Sequence, residues 1–301
     1  MIQQITPTIK IVYTEDGFTE SNCVLVEDDV RLMIDSGAGR ALSEARPDTV
    51  DVLVNSHHHV DHIRGNDEFI RARILAHDLE KDAMGSPEKL MAVSGWNELM
   101  EGTLEEHAAQ FGGIPARLYE PWRVDGTIAE GQSIDCGSTR FEVLHTPGHT
   151  AGHCSFFFPE ESVVFMGDIC LTAAGPWYGE EHADIDEFIR SIDRIIELNP
   201  ARVVTGHRPG VIEGDIEKVL TEYRDRMLKR ERRIFNHLRE HPSTIHELAE
   251  RNLIYRAHPT TFVLFWEKSM LKKHLERLAA AGAVEQVEGG RFRALEMVPA
   301  R

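Results

Sequence analysis

Cysteine is scarce in this 301-residue chain, limited to Cys23, Cys136, Cys154 and Cys170, with no Cys-x-x-Cys pair. That scatter indicates neither a disulfide framework nor a thiolate zinc site, and buried thiols are the expected state. No apolar run approaches membrane-spanning length, and Met1-Ile2-Gln3-Gln4 is not a charged leader before an apolar stretch, so a soluble, cytoplasmic protein with no membrane partner is expected. Positive charge is also short, with a net charge of −17. The deficit is uneven: residues 215–301 hold 17 Lys and Arg against 13 Asp and Glu, leaving 16 basic and 37 acidic residues, net −21, on 1–214. A polyanion such as nucleic acid would meet repulsion over much of that acidic part. The length allows one large domain or two.

What the chain has is histidine in a dense pattern. Asn55-Ser56-His57-His58-His59-Val60-Asp61-His62 follows the apolar run Val50 to Val54, which reads as a buried strand. In an extended segment residues two apart point the same way, so His57 and His59 can converge on one metal while Asp61 and His62 serve a second. The arrangement recurs. Phe141, Val143 and Leu144 precede His145-Thr146-Pro147-Gly148-His149; Val163 to Met166 precede Gly167-Asp168; Val203 and Val204 precede Thr205-Gly206-His207. Strand ends so far apart in sequence meet only if a sheet gathers them at one rim, as in metal sites that keep an open position.

These residues resemble the metallo-β-lactamase superfamily over residues 1 to about 214. Its His-x-His-x-Asp-His motif falls on His57, His59, Asp61 and His62, its later histidine on His149, its bridging aspartate on Asp168 and its last histidine on His207. The resemblance implies an α/β fold, an αββα sandwich with two metals in the groove between sheet edges. By analogy His57, His59 and His149 hold the first metal, Asp61, His62 and His207 the second, and Asp168 with a hydroxide bridges them. Asp35, in Asp35-Ser36-Gly37 after a strand over Arg31 to Ile34, is expected to shape the floor beside the metals, and His58, His145 and His153 to support the ligands or pack, because both sites are already full.

Two divalent ions roughly 3.5–4 Å apart lower the pKa of a shared water to about 7, giving a nucleophile without serine or cysteine. Asp61 and Asp168 are the expected catalytic carboxylates. Histidine and carboxylate ligands without thiolate suit Zn²⁺ best, with Fe or Mn tolerated. Within the superfamily, zinc β-lactamases use a cysteine in the second site or lack the bridging aspartate, diiron members replace the second motif histidine with glutamate, and lactonases place a tyrosine where Leu171 stands. Nucleases with a second inserted domain need more chain than lies between Asp168 and His207. What remains is a hydrolase of the glyoxalase II-like branch acting on a thioester, ester or lactone. The alternatives are a metal-dependent RNA phosphodiesterase and a winged-helix nucleic-acid-binding protein with a vestigial hydrolase domain.

Elsewhere, Ile5 to Val12, Asn22 to Val26 and Arg73 to Ala76 read as strands and Ile63 to Arg71 as a helix. Residues 79–122 interrupt the pattern: Met84, Leu90, Met91, Val93, Trp96, Leu99, Met100, Leu104 and Phe111 recur at helical intervals up to Gly112-Gly113 and Pro115. An inserted helical lid is expected, with Trp96 and Met100 as candidate pocket residues against ordinary core packing. Loop Thr172 to Glu181 follows Asp168 closely and offers Trp177 and Tyr178 as further pocket candidates, Tyr178 in place of the missing lactonase tyrosine.

From 215 the character changes. Asp215 to Glu240 is a long charged helix, Thr244 to Glu247 a capping box opening a second, Phe262 to Ala281 a third, and Ala283 to Leu295 a hairpin centred on Gly289-Gly290. That order resembles the winged-helix module of lactamase-beta-like hydrolases, giving a second domain over 215–301. Lys272, Lys273, Arg277, Arg291 and Arg293 suit phosphate contact, yet Glu267, Glu276, Glu285 and Glu288 interleave with them. A packing or homodimerisation module is the favoured reading, with a small-molecule acyl substrate as the partner of the catalytic part.

Overall fold

The computed structural model describes residues 1–14, 19–99, 120–207 and 210–295. Two sheets carry the ligand-bearing part. The first runs in chain order through β1 (Ile2–Gln4), β2 (Ile9–Val12), β3 (Cys23–Val26), β4 (Leu32–Ile34), β5 (Val52–Val54), β6 (Arg73–His77) and β7 (Gly126–Ile128). It is antiparallel up to β4 and parallel from β4 to β7. The second comprises β8 (Ser133–Asp135), β9 (Arg140–His145), β10 (Cys154–Phe158), β11 (Val163–Phe165), β12 (Arg202–Val204) and β13 (Val211–Glu213) in spatial order 13-12-11-10-9-8. Only β11 and β12 run parallel in it, with β11 paired residue for residue from Val163 against Arg202 to Phe165 against Val204.

The short runs Cys-Val-Leu-Val, Leu-Met-Ile and Val-Val-Phe are buried at every position. Continuous apolar strands of this kind are stable only with both sheet faces covered. The inner faces meet in one apolar layer, with Ile9, Ile11, Val24, Leu32 and Val54 of the first sheet against Phe141, Phe156, Phe158 and Phe165 of the second. The outer face of the first sheet packs on Ala41, Leu42 and Ala45 of a 3₁₀ segment, Gly39–Ala45. The outer face of the second packs on α5 (Ile185–Leu198), whose Ile185, Phe188, Ile192 and Ile195 recur at helical spacing and are buried. Asp184 caps α5 by accepting the Glu187 amide at 2.8 Å, and Asn199 ends it in the left-handed region at φ 48°. The result is the expected αββα sandwich.

Connections deviate from the sequence reading where local signals were ambiguous. The helix expected over 63–71 is instead α1 (Val60–Ile63), a short break and a 3₁₀ turn, Asn66–Glu68. Gly65 explains the break, because it lies against the Ser36 carbonyl where a Cβ would sit 2.4 Å from that oxygen. The inserted region begins as α2 (Asp78–Gly85), α3 (Pro87–Val93) and α4 (Trp96–Leu99). Met84 and Leu90 pack with Ile63, Ala76 and Trp122, so these two are ordinary core. Met100, Leu104, Phe111, Gly112-Gly113 and Pro115 lie outside the described residues.

The C-terminal part supplies α6 (Ile216–Glu240), α7 (Ile245–Ala249), α8 (Thr261–Ala280) and the hairpin β14 (Val284–Val287) and β15 (Arg291–Ala294). The capping box at α7 is formed, with Thr244 and Glu247 each bonding the other's amide. One apolar cluster runs unbroken from Val164 and Val203 of the second sheet through α5 and α6 to Met270, Leu275 and Val284. Among the described residues no helix is long and apolar enough to cross a membrane.

Candidate metal centre

Ligand-type residues from β5, β9, β11 and β12 do meet at one rim. Backbone bonds fix the meeting point. The Cys154 amide donates to the Ser56 carbonyl at 2.9 Å, the Gly206 amide to the Gly167 carbonyl at 2.8 Å, and the Asn22 amide to the Gly206 carbonyl at 2.6 Å. These bonds join loops of both sheets. Gly206 permits the approach, because a Cβ there would sit 2.7 Å from His62 Cε1 and 3.1 Å from Asp168 Oδ1.

His57, His59, His149 and Asp168 each offer an atom to one cluster, all within 4.8 Å of one another, and Asp61, His62 and His207 form a second cluster to the same limit. In the first, His59 Nδ1 lies 3.0 Å from His57 Nε2 and 2.9 Å from His149 Nε2. In the second, His207 Nε2 lies 3.2 Å from Asp61 Oδ2, and His62 Nε2 lies 3.8 Å from the same oxygen. Asp168 divides between them: Oδ2 is 3.3 Å from His149, whereas Oδ1 is 3.0 Å from His62 and 3.3 Å from His207. The extended geometry expected of the motif holds for His57 and His59. Asp61 and His62 are instead in the first turn of α1, which swings them toward the second cluster.

The far nitrogen of each ring in the first cluster is already engaged. His149 Nδ1–H donates to the Trp177 carbonyl at 2.9 Å, His59 Nε2–H to Glu180 at 3.2 Å, and His57 Nδ1–H to Ser56 Oγ at 2.9 Å. In the second cluster His62 Nδ1–H donates to Asp35 Oδ2 at 2.8 Å. In the first cluster these bonds assign the tautomers and leave lone pairs on the converging nitrogens. Lone pairs at about 3 Å repel unless a cation lies between them. His62 Nε2 and Asp168 Oδ1, both buried, lie 3.0 Å apart without the geometry of a hydrogen bond. The donor set therefore fits divalent metal.

Electrostatics separates the two clusters. Burial, reinforced by the neighbouring His62, His59 and His149, holds the His57 imidazole well below its usual range, and burial takes His149 down to about 3. Both are neutral and ready to coordinate. At His62 burial is outweighed by Asp168, Asp35 and Asp61, which push it up to about 10, and at His207 burial is outweighed by Asp168 and Asp61, which raise it well above the ordinary value. Against the pull of desolvation, the half-buried Asp61 is brought down to about 2 by His62 and His207. The second cluster thus holds an excess of carboxylate charge that draws in protons when no metal compensates it.

The supporting residues sort less evenly. Asp35 accepts from the Ser56 amide and hydroxyl as well as from His62, so it orients a ring without reaching the groove. His153 accepts the Asp168 amide at 3.0 Å through Nε2. His145 does not touch a ligand: it holds the Ala151 carbonyl at 2.8 Å and stacks on His77, so it braces the turn between His149 and His153. Of the pocket candidates, Trp177 lies beside the first cluster, its ring centroid 5.3 Å from His59 and 5.4 Å from His149. Trp96 packs edge-on against Phe262 of α8 and alongside the cluster of Ile63, Leu90 and Trp122. Tyr178 points the other way: it is 0 % exposed, with its hydroxyl 2.8 Å from His274 Nε2 and 3.1 Å from Arg230. It belongs to the core and does not replace a lactonase tyrosine.

Two buried glutamates escaped the sequence reading. Glu80 of α2 accepts from the His58 amide and ring, Thr150 Oγ1 and the Gly152 amide, which ties the loop of His57 to that of His149. Glu180 lies 3.0 Å from His58 Nε2 and also takes His59. Against the pull of burial, the paired carboxylates of Glu180 and Glu80 raise His58 well above the usual histidine value. Nothing in a charged helix or in Gly-Glu-Glu-His marks these two carboxylates from solvent-facing ones, since only tertiary packing brings His58 between them.

The family model described as the metallo-beta-lactamase superfamily matches residues 16–207, most of the chain. The chain belongs to that superfamily. A Beta-lactamase-like protein 2 homolog from Caenorhabditis elegans is 33% identical over 158 residues, covering 52% of this chain and 51% of that protein. The match thus spans about half the length of that relative. A hydroxyacylglutathione hydrolase, GloC, from Haemophilus influenzae is 29% identical over 198 residues, 62% of this chain and 85% of its own. A metallo-beta-lactamase family protein from Thermus thermophilus shares the fold at a TM-score of 0.72 and 23% identity, covering 97% of this chain and all of that one. The superposition includes the C-terminal helices, so the whole architecture recurs in that superfamily member.

Proposed function

We propose that the chain is a metal-dependent hydrolase of acyl bonds, a thioester, ester or lactone, working with two divalent ions, Zn²⁺ in first place and Fe or Mn as alternatives. The observation that carries this reading is the convergence of lone pairs from His57, His59 and His149 beside a carboxylate, Asp168, whose two oxygens face different clusters. His57, His59 and His149 would hold one ion, Asp61, His62 and His207 the other, and Asp168, whose oxygens face both clusters, would serve the two. When bound, the ions supply Lewis acidity that makes water nucleophilic near neutral pH and polarises the acyl oxygen. Asp61, with 25% of its side chain exposed, is the carboxylate of the set most open to the groove and orients the attacking water. The Trp177 ring beside His59 and His149 offers an apolar wall to the acyl group.

The relative from Haemophilus influenzae, named for hydrolysis of an acylglutathione, supports the acyl class. The disposition of the basic residues also favours a small substrate over RNA. Lys272 pairs with Glu98 and Glu181, Arg277 with Asp186 and Glu231, Arg291 with Glu247 and Arg293 with Glu285, while Lys273 donates to the Glu181 carbonyl. Cations so engaged present little free charge to phosphate. We assign residues 1–214 to catalysis and 215–301 to a winged-helix-like module that packs on it. The test is hydrolysis by the metal-loaded protein of acyl thioesters, lactones, aryl esters and single-stranded RNA, each with a chelator control. Chelator-sensitive turnover of an acyl substrate is expected; cleavage of RNA alone would overturn the assignment.

A further inference from the structure

Arg230 lies in the middle of α6 and is only 3% exposed. Among the described residues no carboxylate lies within ion-pair distance of its guanidinium. A buried cation without a counter-ion is costly and persists only where other groups solvate it. Here the solvating groups are backbone carbonyls of the segment that follows Asp168. Nη1 donates to the Pro176 carbonyl and Nη2 to the Ala174 carbonyl, both at 2.6 Å, and Nη1 also reaches the Tyr178 hydroxyl. Gly175, between those carbonyls, has φ +90°, and a Cβ there would sit 2.8 Å from Nη2. Glycine is what lets the segment wrap the guanidinium so closely.

The same segment is held at both ends. One turn earlier on α6, Arg226 donates to the Thr172 and Ala173 carbonyls at 3.1 and 3.0 Å. From α8, Lys273 donates to the Glu181 carbonyl at 2.6 Å. Residues 172–181 contain no helix or strand of their own, so these carbonyl bonds take the place of a backbone ladder. Between the anchors the segment presents two groups to the metal centre: the Trp177 carbonyl, which takes His149 Nδ1–H, and the Glu180 carboxylate, which takes His59 Nε2–H. Two of the three rings in the first cluster are therefore oriented by this segment. The second cluster receives nothing from it in the observed bonds, since His62 is oriented by Asp35 and Asp61 by the turn of α1.

We propose that helices α6 and α8 set the geometry of the three-histidine metal site alone, through the 172–181 segment, with Arg230 as the principal positioning residue and Glu180 as its contact with the ligands. The C-terminal module then has a role in the centre without touching metal or substrate. The inference rests on the two-ion reading above.

The experiment is a Zn²⁺ titration of the full-length, metal-stripped chain against a competing chromophoric chelator, repeated with Co²⁺ for its optical spectrum. Arg230→Met and Glu180→Gln are expected to weaken one of the two ions roughly 10- to 100-fold, the usual effect of losing a partner of a ligand. Comparison with His149→Ala and His207→Ala identifies that ion as the three-histidine one, and its Co²⁺ bands shift while those of the other stay. Arg230→Lys, which can reach one carbonyl but not both, falls between, and Arg232→Met, on the exposed face of α6, leaves both ions unchanged. Both ions bound normally by Arg230→Met, or both weakened alike, overturns the proposal. If Arg230→Met does not fold, Lys273→Met decides it by the same readout. A wild-type chain that binds no divalent ion overturns the two-ion reading and this inference together, whereas two ions bound by wild type and variant alike overturns the inference alone.

Discussion

Asp35 Oδ2 lies 2.8 Å from His62 Nδ1, and the residue that carries this carboxylate has left-handed backbone, φ 61°. Such a conformation costs a non-glycine residue about 1 kcal/mol and persists because the side chain also accepts the Ser56 amide at 2.7 Å and its hydroxyl at 2.8 Å. All three partners are donors. An asparagine turned either way sets its own NH₂ against at least one of them, and against two when the NH₂ takes the Oδ2 position. Asp35→Asn is therefore expected to weaken the ion held by His62 roughly 10- to 100-fold and the three-histidine ion less, since Asp35 reaches His57 only through Ser56. A two-site metal titration checks this, and equal affinity for both ions in the variant would refute the orienting role.

Tyr178 supplies the opposite case, a residue with no direct contact to the groove. Its hydroxyl donates to His274 Nε2 and accepts from Arg230 inside the core shared by the 172–181 segment, α6 and α8. Tyr178→Phe leaves both partners unmatched, a loss of about 1–3 kcal/mol for buried polar groups. Denaturant unfolding should register that loss with KM for an acyl substrate little changed. A tenfold change in KM at unaltered stability would return the residue to the groove.

The contrast between these two residues marks what was legible in the sequence. Ligand-type residues lie at the ends of short apolar strands, and strand ends are set by local pattern, so the places of His57, His59, His149, Asp168 and His207 at one rim could be read from the chain, whereas the αββα order and the sharing of ligands between two ions came from the resemblance to the superfamily. Asp35 came from the same resemblance, and its place just after β4 puts it beside His62. The direction of a side chain in an irregular loop is set by what packs on it from elsewhere. Nothing near Trp177-Tyr178 tells that the first faces the histidines and the second faces α8, because the deciding partners, Arg230 and His274, are over fifty residues away. Glu80 and Glu180 were missed on the same ground, as their partner His58 reaches them only after β5, α2 and the loop after Asp168 have been assembled.

His274 gives the core a pH dependence independent of the ligands. Burial holds its pKa below the ordinary 6.5, against the pull of Glu231, so the ring stays neutral in the fold, with Nδ1–H donating to Glu231 and Nε2 accepting from Tyr178. The unfolded chain takes up this proton at higher pH than the folded one does. The associated stability is therefore present above about pH 6.5 and lost as the pH falls toward the depressed folded value. His274→Gln can make the same two hydrogen bonds without a proton to gain. Urea unfolding of the metal-free proteins from pH 8 down to pH 5 should show a shallower loss in the variant, and parallel curves would assign the acid lability to other groups.

Gly148 is where the fold and the metal centre constrain one backbone position together. Its φ is +124°, and a Cβ built on it would sit 2.3 Å from both the amide nitrogen and the Cα of Phe188 in α5. The neighbouring backbone cannot yield cheaply, because the Asp184 amide that opens α5 donates to the Gly148 carbonyl at 3.1 Å. Gly148→Ala must therefore displace either α5 or the turn that delivers His149. Gly131 separates this clash from simple strain: it has φ +71° and nothing within 4 Å of a built Cβ, so Gly131→Ala should cost about 1 kcal/mol and leave metal binding intact. Gly148→Ala is expected to lose several times that stability and the three-histidine ion with it, read by thermal unfolding and by zinc content after dialysis. If Gly148→Ala matched Gly131→Ala in both measurements, the close approach of the His149 turn to α5 would not be a constraint on the metal centre.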